Sequence, residues 1–433
     1  MKWFLVKYRN FGRLDWKVSA LGFGVMRLPI INGDASKIDE SEALRMIRYA
    51  IDHGVNYLDT AYPYHRGNSE IVVGKALQDG YREKTRLATK MPTWLINSTK
   101  DMNKYLDEQL SRLQLDYVDF YLFHGLNKER WQKLCELGVL KWAEKKMDEG
   151  KFRHLGFSFH DEYRVFKKIV DGYDGWTLCQ IQYNYMEEQY QAGTKGLNYA
   201  ASKGLAVVVM EPIAGGRLAI KPPKEIQGFW DKATIKRTPA EWALQWVWNH
   251  PEVSVALSGM STFEQVKENV ESANISGANM LTDKELSIIS QVRRRYKRLG
   301  FIGCTGCRYC MPCPEGVNVP EIFSFYNEYY VRNRDDEIKR KYWEHITPES
   351  QAKRCARCGR CKELCPQHLQ IREILSSAAM LFEEDTEIKA LARAQMVVWK
   401  RAFSVAFTNS EGRSWLSQVR LTDNSPMRNF KNL

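Results

Sequence analysis

Short strand-like segments alternate with helical segments from about residue 18 to residue 274. The strand-like segments are VSALGFGVM (18–26), YLDTA (57–61), RLATKM (86–91), YVDFYLFH (117–124), FRHLGFSF (152–159), LCQIQYNY (178–185), AVVVMEPI (206–213) and VSVALSGM (253–260). Because helical stretches such as EALRMIRYAIDHG separate them, the strands are predicted to form one parallel sheet. Eight such repeats over about 260 residues fit an α/β fold with a closed (β/α)8 TIM barrel.

An open, doubly wound sheet is the alternative for the same alternation. That fold usually carries the pattern G-x-G-x-x-G after its first strand. The corresponding segment here is GFGVMR, which lacks the third glycine, so the barrel is favoured. The preceding segment YRNFGRLDWK (8–17) predicts a short hairpin at the bottom of the barrel. Thr238 and Ser261 are predicted helix N-caps, because a glutamate follows each at the third position.

Polar residues stand at the ends of predicted strands that are otherwise apolar. Asp59 ends the second strand, Lys90 the third and His124 the fourth. Tyr64 follows Asp59 in DTAYPY. Catalytic residues of barrel enzymes lie at the carboxyl ends of the strands, so these side chains are predicted to meet.

Together, these four residue types suit a proton-donor site. A tyrosine is a poor acid at neutral pH because its usual pKa is about 10, but a nearby ammonium lowers that pKa. An aspartate keeps the lysine charged, and a histidine can donate a hydrogen bond to a carbonyl oxygen. Each residue alone is more often structural, as an ion pair, a loop aromatic or a core histidine. The complete set favours ketone reduction, in which the carbonyl oxygen is protonated as a hydride arrives.

Residues 8 to 275 resemble the aldo-keto reductase family. The resemblance is carried by KVSALGFGVMRLP, AIDHGVNYLDTAYPYHRGNSEIVVGKAL, LATKMP, DYVDFYLFH, HLGFSFH, QIQYNYME and QVKEN. It implies that Asp59, Tyr64, Lys90 and His124 are the catalytic tetrad of the family. It also implies an oxidoreductase that reduces a small-molecule carbonyl, or an activated double bond, with NADPH bound across the barrel mouth.

The resemblance further implies which residues bind the nucleotide. Ser158 and Gln182 would contact the nicotinamide amide, and Met210 stands where the family often has a stacking tyrosine. The adenosine end would be lined by Gly259, Met260, Gln265, Glu268 and Asn269. Gly259 and Gln265 replace the family's Lys and Arg at the 2′-phosphate, so the choice among NADP, NAD and a flavin stays open.

Eight of the ten cysteines lie in CTGCRYCMPCP (304–314) and CARCGRCKELCP (355–366). The second segment has the C-x2-C-x2-C-x3-C-P spacing of bacterial ferredoxins, and the first is one residue shorter before its last cysteine. Structural zinc, the alternative, uses two cysteine pairs separated by a loop. Clustered cysteines in a cytosolic chain also favour metal over disulfides. Two [4Fe–4S] clusters are therefore predicted.

In two-cluster ferredoxins the fourth cysteine of each run binds the other cluster. This crossed ligation predicts Cys304, Cys307, Cys310 and Cys365 as ligands of cluster one. It predicts Cys355, Cys358, Cys361 and Cys313 as ligands of cluster two. The shortened first run leaves open a one-cluster variant without Cys313. The predicted domains are the barrel (1–292), a small, mainly α-helical ferredoxin-like domain (293–380) and a helical and extended tail (381–433).

Three functions fit a reductase barrel joined to such a domain. In the first, the clusters exchange electrons with the barrel site, where a flavin would divide the electron pair that nicotinamide transfers together. In the second, the chain is an NAD(P)H-dependent carbonyl reductase whose clusters are structural or redox-sensing. In the third, it is an electron-transfer or regulatory subunit with a non-catalytic barrel, although the complete tetrad argues against this.

Composition and charge bear on location and partners. The chain has no apolar run long enough to span a membrane and no signal-peptide core, so a cytoplasmic location is predicted. Its net charge is +12, but no nucleic-acid-binding motif accompanies that charge. Bound anionic clusters and nucleotide phosphates would offset part of it. The basic, aromatic tail could dock a redox partner or a second copy of the chain in a homo-oligomer, and a solvated, partly disordered tail is the alternative.

Overall fold

The computed structural model of the chain describes residues 5–299, 301–331 and 334–384. These residues belong to two compact units, one ending at Arg298 and the other beginning at Leu299. Most of the predicted tail, from residue 385 onward, lies outside the described residues. Within the described ranges, every helix is too short or too polar to cross a membrane.

The first unit contains a closed barrel of eight parallel strands, which confirms the predicted fold class. A hairpin of β1 (Tyr8–Phe11) and β2 (Leu14–Ser19) precedes it. The barrel strands are β3 (Leu21–Gly24), β4 (Tyr57–Asp59), β5 (Arg86–Met91), β6 (Val118–Leu126), β7 (Phe152–Phe159), β8 (Leu178–Gln182), β9 (Ala206–Met210) and β10 (Val253–Gly259). β10 pairs with both β9 and β3, so the last strand closes the barrel against its first strand.

At least one helix follows each barrel strand. The helices are α1 (Glu40–Asp52), α2 (Asn68–Ala76), α3 (Thr99–Leu113), α4 (Lys128–Glu136), α5 (Val139–Asp148), α6 (Tyr163–Asp171), α7 (Gly193–Ser202), α8 (Lys224–Trp230), α9 (Pro239–Trp248), α10 (Phe263–Asn274) and α11 (Asp283–Arg298). Their apolar residues recur at helical spacing; in α6, for example, Val165, Phe166, Ile169 and Val170 are buried.

The helix N-caps agree with the prediction at one position and differ at the other. Thr238 caps α9, where its hydroxyl accepts a hydrogen bond from the backbone N–H of Glu241. The predicted cap at Ser261 is wrong, because Thr262 caps α10. The amide oxygen of Gln265 reaches back to the Ser261 N–H at 2.8 Å, which moves the capping pattern one residue along.

The β1–β2 hairpin covers the amino-terminal end of the barrel. Phe11 is fully buried in a core cluster with Tyr57 and Leu178, the first residues of β4 and β8. The Arg9 guanidinium donates hydrogen bonds to the carbonyls of Trp248 and His250, each at 2.7 Å. With that end covered, ligands would enter the barrel at the carboxyl ends of the strands.

The second unit is built from α12 (Val319–Val331), α13 (Asp336–His345), α14 (Arg360–Glu363) and α15 (Ile371–Glu383). The rings of Tyr342 and Phe382 stack in its core with their centroids 4.5 Å apart. The buried carboxylate of Glu383 accepts hydrogen bonds from the backbone N–H groups of Ala352 and Lys353, at 2.7 and 3.0 Å. These bonds fix the chain just before the second cysteine segment.

Candidate functional site

The structure brings the four polar strand-end residues together at the carboxyl ends of β4, β5 and β6. Asp59, Tyr64, Lys90 and His124 are all less than a tenth exposed. The Lys90 ammonium donates to Asp59 Oδ1 at 2.6 Å, to the carbonyl of Thr60 at 2.8 Å and to the Tyr64 hydroxyl at 3.5 Å. An ammonium has three N–H donors, so each has an acceptor, and one of these is the phenol oxygen.

His124 also packs against the tyrosine. The rings of Tyr64 and His124 meet edge to face, with their centroids 6.0 Å apart. Trp94 packs against the same imidazole at 5.1 Å, and the Thr93 hydroxyl donates to the His124 carbonyl at 2.6 Å. The contacts therefore fix both the ring and the backbone of His124.

Burial changes the ionisation of this group. It raises the pKa of the Asp59 carboxyl and lowers the pKa of the Lys90 ammonium, while their ion pair opposes both shifts. Burial, followed by the positive charge of Lys90, lowers the pKa of His124 well below its usual value. His124 is consequently a neutral imidazole at neutral pH, which can donate a hydrogen bond but carries no charge.

A strained turn holds Tyr64 in this position. The next two residues, His65 and Arg66, adopt left-handed backbone conformations with φ of 51° and 55°. Such conformations cost about 1–2 kcal/mol for residues other than glycine. The His65 ring offsets part of the cost, because it accepts from the Leu28 N–H at 3.2 Å and bonds the Ala35 carbonyl at 3.0 Å.

A buried polar network under Lys90 was missed at the sequence level. Gln109 on α3 donates to the Lys90 carbonyl at 3.0 Å and to Glu70 on α2 at 2.7 Å. The hydroxyls of Thr89 and Tyr121 complete the network. Glu70 is fully buried, and its charge raises the pKa of Lys90 against the effect of burial. The available signal was a glutamate within the apolar run EIVVGKAL.

The three residues predicted to lie at the nicotinamide end occupy the last or next-to-last positions of β7, β8 and β9. The Ser158 hydroxyl accepts from the Gly125 N–H at 2.7 Å. The Gln182 amide donates to Glu187. Met210 is half-buried, with its sulfur 3.8 Å from the Gln180 amide nitrogen. All three are therefore at the same end of the barrel as the tetrad.

The predicted adenosine-end residues lie at the end of β10 and on α10. Met260 is buried, and Gln265 is exposed at the start of the helix. Glu268 accepts from the Thr238 hydroxyl. Asn269 is buried and donates to the Ser258 hydroxyl at 3.0 Å.

Gly259, the fifth of these residues, lies directly against Arg27, which was not among the predicted residues. A Cβ placed on Gly259 would be 3.2 to 3.4 Å from the Cδ, Cγ and Cβ atoms of Arg27. The Ser261 hydroxyl also donates to the Arg27 carbonyl at 2.8 Å. The aliphatic part of an arginine side chain from the loop after β3 therefore packs against one of the two positions at which the sequence lacks the family's basic residue.

In the second unit, the predicted iron ligands surround two neighbouring cavities. The first cavity is lined by Cys304, Cys307, Cys310 and Cys365. The second cavity is lined by Cys313, Cys355, Cys358 and Cys361, with Cys310 and Val319 shared between the two cavities. Within the described ranges, no three His, Cys, Asp or Glu side chains are close enough to bind a single metal ion. The thiols are spread around two spaces, in the grouping that crossed ligation requires.

The cavities also fit the chemistry of an iron–sulfur cluster. Burial raises the pKa of the Cys310 thiol to about 12 and raises that of Cys361 in the same direction. Iron binds the thiolate, so ligation at these positions has to release protons. Apolar side chains such as Phe323 and Leu375 line part of the remaining walls, which suits a cofactor held by sulfur ligands.

Comparisons with known sequences agree with the two units. Residues 20–294 match the profile described as "Aldo/keto reductase family", and residues 303–369 match a "4Fe-4S dicluster domain". The L-galactose dehydrogenase of Arabidopsis thaliana is 28% identical over 317 residues, which cover 68% of this chain and 96% of that protein. The NADH-specific methylglyoxal reductase of Escherichia coli is 25% identical over 332 residues, which cover 66% and 98%.

Solved structures give the same result. An aldo-keto reductase from Bacillus halodurans in its holo form matches with a TM-score of 0.55 and 28% identity, covering 66% of this chain and 96% of its own. An aldo/keto reductase from Klebsiella pneumoniae in complex with NADP and acetate matches with a TM-score of 0.53 and 26% identity, covering 67% and 96%.

Proposed function

Because the chain belongs to the aldo/keto reductase family and carries a 4Fe-4S dicluster domain, we propose that it reduces a small-molecule carbonyl or activated double bond with NADH or NADPH. We further propose that two [4Fe–4S] clusters exchange electrons with that reaction. The observation that carries the proposal is the buried Lys90 ammonium, which is held by Asp59 and directed at the Tyr64 hydroxyl.

The residues of the tetrad would divide the work of carbonyl reduction. Tyr64 would donate the proton to the substrate oxygen, and Lys90 would stabilise the phenolate that remains. His124, kept neutral by burial, would donate a hydrogen bond to the same oxygen and so polarise the carbonyl. The hydride for the carbonyl carbon would come from a bound nicotinamide nucleotide, or from a bound flavin that the clusters have reduced one electron at a time.

The residues at the barrel mouth would hold the nucleotide. Ser158, Gln182 and Met210 would surround the nicotinamide, next to the tetrad. The adenosine end would lie along Gly259, Met260, Gln265, Glu268 and Asn269. Arg27 and the first turn of α10 would bind the phosphates, because a cation and free helix N–H groups both favour anions.

In the second unit, Cys304, Cys307, Cys310 and Cys365 would bind the first cluster, and Cys313, Cys355, Cys358 and Cys361 the second. The grouping of these thiols around two cavities supports both the pair of clusters and the crossed ligation. Iron and sulfide analysis of anaerobically purified protein should give about eight irons. Denaturing the same sample would release any bound flavin for detection by its fluorescence.

Tyr64→Phe tests the barrel chemistry, because it removes the hydroxyl and keeps the ring. We expect kcat for NAD(P)H oxidation with small aldehydes and ketones to fall at least about 100-fold, since a general acid contributes about 10²–10⁴. Nucleotide affinity and iron content should stay unchanged. Tyr62→Phe is the matched control, because the Tyr62 hydroxyl lies in the same loop but donates to Glu108 at 3.2 Å.

Equal turnover by Tyr64→Phe and the wild type would show that carbonyl reduction does not occur at this tyrosine. The proposed role of Tyr64 would then be wrong, whereas a wild type with intact clusters that turns over no carbonyl would favour an electron-transfer or regulatory subunit. A preparation that keeps full activity without iron would instead contradict the proposed role of the clusters.

A further inference from the structure

Basic side chains are concentrated around the second cavity. Six of them lie between residues 353 and 373, and we call this group the basic rim: Lys353, Arg354, Arg357, Arg360, Lys362 and Arg372. The first four are exposed, and the last two are half-buried. The same stretch contains two carboxylates, Glu363 and Glu373. Arg360 and Arg372 line the second cavity together with one carboxylate, Glu315, and the segment as a whole carries an excess of positive charge.

Hydrogen bonds hold parts of the basic rim in place. Arg357, with a left-handed φ of 58°, donates to the Ser376 hydroxyl at 3.0 Å. Arg372 donates to the Arg357 carbonyl at 3.3 Å, and Arg354 donates to the Glu315 carbonyl at 3.3 Å. Arg360 and Arg372 line the second cavity itself. Charges fixed in this way lose less side-chain entropy when a partner binds.

The first cavity has a different surface. Its thiols are half-buried, whereas Cys358 on the second cavity is exposed. Among the described residues, Arg308 is the one charged side chain that lines the first cavity. If the cations served only to balance the charge of a cluster, they would surround both cavities alike. The concentration around the more accessible cavity therefore indicates an external partner.

We propose that the basic rim is the docking surface for an acidic one-electron carrier protein, and that electrons enter or leave the chain through the second cluster. This inference rests on the two clusters of the proposed function. The step transfers one electron: the carrier is oxidised by one electron and the cluster is reduced by one, with no bond made or broken. Complementary charge would orient the carrier over Cys358 and raise the association rate.

The first test uses the wild-type full chain and a reduced, acidic plant-type [2Fe–2S] ferredoxin in an anaerobic stopped-flow instrument. Cluster reduction is followed by the loss of its visible absorbance. The second-order rate constant should fall steeply as salt is added, because salt screens the attraction between the two proteins. A rate constant that does not change with salt would overturn the docking surface without any variant.

The second test reverses two charges of the basic rim, with Arg357→Glu/Arg360→Glu. At low salt, the rate constant with the acidic ferredoxin should fall about tenfold or more. The oxidation of the pre-reduced chain by cytochrome c, a basic carrier, should become faster. Arg340→Glu is the control, because it makes one such charge reversal elsewhere in the same unit, at a side chain 41% exposed, and should leave both rates unchanged.

Opposite changes with the two carriers would support the inference, since damage to a cluster slows both reactions. Unchanged rates with both carriers would overturn it. So would weaker retention on immobilised DNA with unchanged electron transfer, because the surface would then bind nucleic acid. If Arg357→Glu/Arg360→Glu loses iron, the salt dependence of the wild-type rate constant tests the inference in its place. A wild type with about four irons would contradict the second cluster of the proposed function instead.

Discussion

Replacing Lys90 with methionine should destabilise the barrel, because it leaves the Asp59 carboxylate buried without its partner. The side chains of Lys90 and Asp59 are 0% and 3% exposed, so water screens little of their attraction. At their separation of 2.6 Å, an effective dielectric constant of about 20 gives roughly 6 kcal/mol of attraction. The cost of desolvating both ions cancels part of this. The expected loss of unfolding free energy is about 3–5 kcal/mol for Lys90→Met.

The double variant Asp59→Asn/Lys90→Met should regain more than half of that loss, because no buried charge remains. The penalty in Lys90→Met should also shrink with falling pH. Burial raises the pKa of Asp59, and removing Lys90 takes away the charge that opposes this shift. The folded state then takes up a proton before the unfolded state does. The penalty is accordingly fully present above the folded pKa and shrinks as the pH falls from the folded pKa towards the unfolded pKa.

Urea unfolding followed by tryptophan fluorescence measures these differences, with iron content as the control for the second unit. The comparison should be made at about pH 8 and about pH 6 for the wild type and both variants. Equal stability of Lys90→Met and the double variant would refute this reasoning if their difference from the wild type also stayed the same at every pH. Lys90 would then not be what keeps Asp59 ionised.

Three further changes test other parts of the structure. Arg27→Met should raise the Kd for NADPH about tenfold in a fluorescence titration, and Arg27→Lys should raise it less, if this cation binds a phosphate. Cys304→Ala/Cys365→Ala should keep about half of the iron, because crossed ligation places both changes in one cluster; near-complete loss would mean that they bind different clusters. Gly74→Ala should destabilise the barrel by about 1–3 kcal/mol, because its Cβ would lie 2.4 Å from a backbone carbonyl oxygen of α3. Gly228→Ala, with open space around it inside α8, should instead stabilise the barrel by up to about 1 kcal/mol in the same thermal unfolding assay.

The sequence could predict that the tetrad side chains meet, because this follows from short sequence patterns and from one rule of barrel topology. Each of Asp59, Lys90 and His124 is among the last three residues of an apolar strand, and parallel strands of a barrel end on one face. The grouping of the cysteines was likewise contained in their spacing. In both cases, short sequence patterns carried the information.

Features that depend on long-range packing were not predictable. Arg27 lies over Gly259 only because β3 and β10 become neighbours when the barrel closes. The bond from Gln109 to the Lys90 carbonyl depends on how α3 is rotated against β5. The cap at Thr262 instead of Ser261 depended on where the Gln265 side chain points, since either residue can cap a helix.

Because β3 pairs with β10 to close the barrel, β3 is synthesised long before one of its two neighbouring strands. Leu21 pairs with Ala256, which the ribosome adds much later. At about 5–20 residues per second, the first barrel strand waits roughly ten to fifty seconds for its second neighbour. During that interval its edge can pair with another nascent chain, which makes this the period of greatest need for a chaperone. The cysteine segments are made only afterwards, so iron would be inserted into a chain whose barrel strands have all been synthesised.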